Sequence, residues 1–321
     1  MKALVGSAHP LISILIPTYN RPQYLEQTVR SALSQTYPCL EIILSDNASS
    51  DDTPVVAASF QGQRTTFIRQ PVHLGMTAHW NACLEKASGE FCILLSDDDV
   101  LESTALEEMA RPIFEGRSEF TYSPFTVIDE NGLVTGRSTP GPSLEPGEQF
   151  IRGHLRNARM VMPSGLLFRT SSLRALGGFP NIGTSTDFAV RLALATRGPV
   201  ACCREHLLLY RRHSSSLSSK LGQVIASHLD LLKWAQQEPC LAPYQELLKA
   251  HVWQESIRIG ILGGLARDIG GNRAASRALH ELGGGYAGML WAQGLLLASR
   301  LKVSKWAYLA WKSLRRSGAA A

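Results

Sequence analysis

Phe91-Cys92-Ile93-Leu94-Leu95-Ser96-Asp97-Asp98-Asp99 sets an unbroken apolar run directly before three adjacent carboxylates. A short run without polar alternation reads as a buried strand of a parallel sheet. Ligands of such sheets bind beyond the carboxyl ends of the strands, which is where the three aspartates stand. Adjacent carboxylates raise one another's pKa unless a cation neutralises them. Mg²⁺ or Mn²⁺ fits that need, because it accepts few protein carboxylates and takes its other oxygens from a diphosphate. Such an ion would offset charge building on a departing nucleoside diphosphate. A plainer reading also exists: a solvated acidic turn capping the next helix, where acidic groups suit the dipole.

Working outward, Leu11–Ile16 is a second apolar run, stopped by Pro17 and continued as Pro17-Thr18-Tyr19-Asn20-Arg21. Pro22 suits a first helical turn, and Leu25, Val29, Ala32 and Leu33 follow at helical spacing. Leu40–Leu44 reads as a strand ending in Ser45-Asp46-Asn47, and Asp51-Asp52-Thr53-Pro54 opens another helix. Thr66–Arg69 reads as a strand and Met76–Ala87 as a helix. Thr104 and Glu107 have capping-box spacing before the helix that follows the aspartates. Strands alternating with helices at this spacing predict an α/β fold of right-handed βαβ units on a mostly parallel sheet. Three polar clusters then fall at strand ends. Asp46 can accept from a nucleobase N–H, or serve as an Asx-turn entering Ala48–Asp52.

The middle of the chain reads differently. Val127–Val134, around Asp129-Glu130-Asn131-Gly132, predicts a β-hairpin. Residues 136–148 are rich in Gly, Pro and Ser and predict a mobile loop. Leu166–Phe168 reads as a strand, Thr186–Thr196 as a helix and Val200–Tyr210 as a strand. The Ser-rich stretch Ser214–Ser219 predicts a boundary near Lys220, giving a catalytic domain over 1–220 and a helical extension over 221–321.

The chain has 321 residues, 45% hydrophobic and 18% charged, which suits a globular α/β domain with an appendage. Its net charge of +5 is unevenly placed. Residues 270–321 hold eight basic side chains against Glu281 alone, leaving 24 basic against 26 acidic groups over 1–269. A near-neutral body argues against a nucleic-acid partner. Tyr286–Ser299 is apolar except for Gln293 but shorter than the roughly twenty residues a span needs. Trp306, Leu309, Ala310, Trp311 and Leu314 share a helical face flanked by Lys and Arg. That face suits an anionic membrane surface, or packing on the body or a second copy. Six cysteines without a CxxC pair point to free thiols in a reducing compartment. No basic leader with an apolar core opens the sequence, so a cytoplasmic protein is expected, peripheral on the membrane if the tail binds lipid.

The ordered set of clusters resembles the family-2 inverting glycosyltransferases of the GT-A fold. It comprises Pro17-Thr18-Tyr19-Asn20-Arg21, Ser45-Asp46-Asn47 through Thr53, Gly75 to Asn81, Ser96-Asp97-Asp98-Asp99, Gly177-Gly178-Phe179 before Asp187, and Tyr210-Arg211-Arg212-His213. The resemblance spans about residues 10–220. It implies transfer of a sugar from a UDP-, GDP- or dTDP-linked donor to a glycan or lipid-linked acceptor, with Mn²⁺ or Mg²⁺. It places Pro17, Thr18, Tyr19, Asn20, Arg21, Asp46, Asn47, Gly75, Asp97 and Asp98 around the nucleotide sugar. Asp97, Asp98, Asp99 and His213 are its metal candidates. Asp187 is its general base, taking the proton of the acceptor hydroxyl. Ser96 stands where many members carry the first aspartate of Asp-x-Asp-Asp, so which two of the three form the metal pair stays open. Thr186-Asp187 replaces the usual Glu-Asp, leaving Asp187 alone to act as base. Two other classes remain to be separated by experiment: a silent nucleotide-sugar-binding or partner subunit, and a sugar nucleotidyltransferase. Gly283-Gly284-Gly285-Tyr286-Ala287-Gly288 matches GxGxxG but follows no strand, and no P-loop occurs.

Overall fold

The computed structural model describes residues 9–62, 64–213 and 221–265, with a few positions between 274 and 282. The Ser214–Ser219 stretch, the boundary near Lys220, the glycines from Gly283 and the amphipathic basic tail lie outside the described residues.

The first half alternates as expected: β1 (Ile12–Thr18), α1 (Pro22–Leu33), β2 (Leu40–Asp46), α2 (Thr53–Ala58), β3 (Thr65–Arg69), α3 (Met76–Lys86) and β4 (Phe91–Leu94). Every residue of β1 and β4 is buried, as an unbroken apolar run requires. Leu25, Val29 and Ala32 of α1 share one core with Ile14, Ile16, Ile42 and Ile93. Each large side chain buried there contributes roughly 1.5–3 kcal/mol. Just before α2, whose N-cap residue is Asp52, the Asp51 side chain accepts from Thr53 N–H at 3.0 Å.

Next come β5 (Val100–Leu101), α4 (Ala105–Phe114), β6 (Phe120–Tyr122), β7 (Phe125–Ile128), β8 (Val134–Arg137), β9 (Leu144–Glu145) and α5 (Gly147–Leu155). They lead to β10 (Leu166–Arg169), α6 (Thr170–Arg174), α7 (Thr186–Ala195), β11 (Val200–Cys202) and β12 (Leu208–Arg211). An eight-stranded sheet runs β3-β2-β1-β4-β10-β6-β11-β9. Its first four strands are parallel, and β10 enters antiparallel between β4 and β6. A second sheet runs β5-β12-β7-β8 and contains the expected hairpin, with Thr126 opposite Arg137.

Three local expectations are corrected. Val200–Tyr210 is two strands in different sheets, because the chain turns at the exposed Arg204 and Glu205 and crosses from β11 to β12. The 136–148 segment is not all loop: Leu144–Glu145 pairs with β11, and Glu145 is buried against Arg159. Thr104 precedes α4 without a side-chain cap, and Glu107 instead accepts from Thr36 Oγ1 at 2.9 Å, so no capping box forms.

The chain divides into two compact units, one of Met1–Asn181 with Asp187–His213, the other of Ile182–Thr186 with the chain from Ser214 onward. In the second unit, α8 (Leu221–Gln237) and α9 (Gln245–Leu265) pack together, with Leu231, Ala235, Leu248 and Val252 buried. Ser227 Oγ of α8 accepts from Thr184 N–H at 2.9 Å, which ties the 182–186 segment into that unit.

Candidate active site

Register brings the strand ends level. Thr18 pairs with Asp46 across β1 and β2, and Asp46 pairs with Arg69 across β2 and β3. On the other side Leu15 pairs with Leu94, so the chain leaving β4 runs beside the end of β1. Thr18 Oγ1 donates to Asp97 Oδ2 at 2.8 Å, and Tyr19 N–H donates to the same oxygen at 3.2 Å. Arg21 Nη1 donates to Asp97 Oδ1 at 3.1 Å and also pairs with Asp98 Oδ2. His213 Nε2 lies 2.9 Å from that same Asp98 oxygen. Thr18, Tyr19, Arg21, Asp97, Asp98 and His213 thus form one connected cluster.

Charge and burial compete in it. Burial lifts the Asp97 carboxyl to about 6; Arg21 opposes the rise and Asp98 adds to it. Burial works against the Arg21 cation, but Asp97 and Asp98 outweigh it and its pKa rises. Asp99 is engaged elsewhere. Its Oδ2 accepts from Ser164 Oγ at 2.6 Å, and its Oδ1 from Arg211 N–H at 2.9 Å. Burial first, then Asp98, push its carboxyl well above the ordinary carboxylate range. Asp99 therefore fastens β12 and the 163–165 turn, whereas Asp97 and Asp98 face Arg21.

Asp46 forms the turn. Both its oxygens accept from Ser49 N–H, at 3.2 and 3.3 Å, and Arg69 Nε sits 3.4 Å away. Asn20 and Ala48 adopt positive φ, and Asn20 braces the same loop by accepting from Ser50 N–H at 3.0 Å. Asn47 Oδ1 accepts from Leu74 N–H at 2.9 Å, just before Gly75, whose φ of +68° opens α3. Pro17 is buried in β1, while the Tyr19 ring is 43% exposed and tilts over His73 with centroids 4.4 Å apart. The glycine pair also has a structural reason. Asn81 of α3 holds the Phe179 backbone through bonds of 2.8 and 2.9 Å, and a Cβ on Gly178 would sit 2.4 Å from the Asn81 amide oxygen.

Asp187 stands apart from this cluster in its bonding. It lies in the first turn of α7 and pairs with Arg191 one turn on. Among the described residues it shares no hydrogen bond with Asp97, Asp98 or Asp99.

Several contributors were not singled out from the sequence. Ser164 carries no motif. Arg211 belongs to the Tyr210-Arg211-Arg212-His213 cluster, whose spacing does not show that its guanidinium reaches the Asp98 carbonyl at 3.0 Å and Gln27 at 2.6 Å. Arg69 had a usable signal, because it ends the strand beside Asp46.

Carboxylate oxygens and a ring nitrogen are donor types that a divalent ion such as Mn²⁺ accepts. His213 contacts Asp98, and Arg21 bridges Asp98 to Asp97, so a cationic side chain already neutralises the two carboxylates. Among the described residues no three His, Cys, Asp or Glu side chains are grouped so that they could hold a metal ion by themselves.

The fold is of the GT-A type. The structure of S. aureus TarS in complex with UDP-GlcNAc superposes with a TM-score of 0.66 at 16% identity, over 96% of this chain and 92% of that one. The mannosyltransferase PcManGT from Pyrobaculum calidifontis, in complex with GDP-Man and Mn²⁺, gives 0.59 at 18% identity over 96% and 87%. Residues 13–177 match the family described as Glycosyl transferase family 2, and the chain belongs to it. A relative is the UDP-Glc:alpha-D-GlcNAc-diphosphoundecaprenol beta-1,3-glucosyltransferase WfaP of Escherichia coli, 27% identical over 225 residues, covering 70% of this chain and 86% of WfaP. The protein is a glycosyltransferase.

Proposed function

We propose that the protein transfers a sugar, with inversion, from a nucleoside diphosphate sugar to a hydroxyl of a lipid-linked or glycan acceptor. The carrying observation is the joining of Thr18 and Arg21, at the end of β1, to Asp97 and Asp98 beyond β4. Asp46 with Arg69, Asn47, Gly75, Asn20 and the Tyr19 ring would bind the nucleoside side of the donor. Asp97, Asp98 and His213 would hold Mn²⁺ or Mg²⁺, which neutralises charge on the leaving diphosphate. Arg21 would then stand beside the diphosphate as a fixed cation. Asp187 would take the acceptor proton on the face opposite the leaving group. The Mn²⁺ bound with GDP-Man by the archaeal structural neighbour supports the metal assignment, and the name of WfaP supports a lipid-linked acceptor.

Among the described residues no helix is long and apolar enough to cross a membrane. A lipid-linked acceptor would place the enzyme on the cytoplasmic face, with the basic tail as its contact to anionic lipid. The test is a panel of UDP-, GDP- and dTDP-sugars with undecaprenyl-diphosphate-linked acceptors, with and without Mn²⁺. One donor should turn over only with metal, and Asp187→Asn should lower kcat by about 10²–10⁴-fold. Donor binding without turnover would favour the silent subunit, and release of pyrophosphate from a nucleoside triphosphate would favour the nucleotidyltransferase.

A further inference from the structure

We infer that Arg191, itself fixed by His154, is the positioning residue for the Asp187 carboxylate. The inference rests on Asp187 being the base. Arg191 is 3% exposed and His154 4%, so neither is a solvated surface group. His154 Nδ1 lies 3.1 Å from the Arg159 carbonyl oxygen, which can only accept, so the ring carries its proton there. Its Nε2 lone pair accepts from Arg191 Nε–H, 3.3 Å away. With Nε turned to His154, the far end of the guanidinium donates through Nη1 to Asp187 Oδ2. Each of these three contacts pairs a donor with an acceptor.

The line is also held sideways. The His154 ring lies between Phe150 and Phe188, with centroids at 5.3 and 4.4 Å and interplanar angles of 21° and 24°. Arg191 Cζ sits 5.5 Å from the Phe188 centroid. Arg159 is anchored in turn by Glu145, through bonds of 3.1 and 3.2 Å. The Asp187 carboxylate on α7 is thereby referenced to α5 and to the 156–162 segment. A base must meet the acceptor oxygen at hydrogen-bond range, so a carboxylate with one oxygen tied has fewer orientations in which to miss it.

The experiment measures kcat, donor KM and UDP affinity by calorimetry, using the donor selected from the panel. The variants are Arg191→Met, Arg191→Lys, His154→Leu, His154→Gln and Asp187→Asn, each checked for folding by circular dichroism. Arg191→Met and His154→Leu should lower kcat by about 10–100-fold with KM and UDP affinity within about twofold. His154→Gln, whose amide can donate to Arg159 and accept from Arg191, should recover most of that loss. Arg191→Lys keeps the charge but not the fork, so it should still lose kcat if the methionine variant does not fold.

Unchanged kcat in the Arg191 and His154 variants, beside a silent Asp187→Asn, would overturn the positioning role and leave the base intact. Equal losses of kcat and UDP affinity, or a glutamine no better than leucine, would also overturn it. Full turnover in Asp187→Asn would remove the base reading, and the positioning role with it.

Discussion

Thr18 Oγ1 and Asp97 Oδ2, 79 positions apart in the chain, meet in a buried hydrogen bond of 2.8 Å. The bond makes one site out of two strand ends. It also limits the rise that burial imposes on Asp97, because a donated hydrogen bond favours the ionised form.

Thr18→Val keeps the shape and removes that donor. Loss of a hydrogen bond to a buried carboxylate should cost about 1–3 kcal/mol of stability. Donor KM should rise as Asp97 loses its orientation. Urea denaturation and initial rates measure the two effects separately.

Asp98 and Asp99 should respond in opposite ways. Asp98→Ala removes the carboxylate shared by Arg21 and His213 and should abolish Mn²⁺ binding measured by electron paramagnetic resonance. Asp99→Ala leaves Ser164 and the Arg211 N–H without their acceptor, at about 2–3 kcal/mol of stability. Mn²⁺ affinity of the folded Asp99 variant should stay within about twofold of wild type. Equal metal loss in both variants would put Asp99 back among the ligands.

Acid should weaken the fold through His79. Burial first, and His73 second, lower its pKa from 6.5 to about 4, and its Nε2 lies 2.9 Å from Ser45 Oγ. Between these two values the unfolded chain binds a proton that the native protein does not, so stability rises with pH there. The contribution is complete above about 6.5 and is lost progressively as pH falls toward 4, on the order of 3 kcal/mol in all. His79→Gln should flatten that part of a stability-versus-pH curve. An unchanged slope would show that His79 titrates normally.

What the sequence disclosed follows from range. Periodicity and turn residues are local, so β1, α1, β2 and β4 could be read within a residue or two, and the strand-end rule placed Thr18, Asp46 and Asp97 together. The division of labour among the three aspartates is not local. Asp99 is taken by Ser164 and Arg211, 65 and 112 positions away, and no spacing announces those partners. Val200–Tyr210 failed for a related reason: apolar residues continue through the run, while the change of sheet at Arg204 depends on which strand each half meets. The Thr104–Glu107 spacing was correct and the box still did not form, because Thr36 claims the glutamate. For Asp187 the sequence supplied a place on a helix and a family likeness, but not the buried line through Arg191 and His154.

The most direct test is calorimetric titration of UDP into wild type and Asp98→Ala, each with and without Mn²⁺. Wild type should bind UDP at least about tenfold more tightly with the ion, and that gain should vanish in the variant. Equal UDP affinity in all four titrations would contradict a phosphate-and-metal site at the ends of β1 and β4.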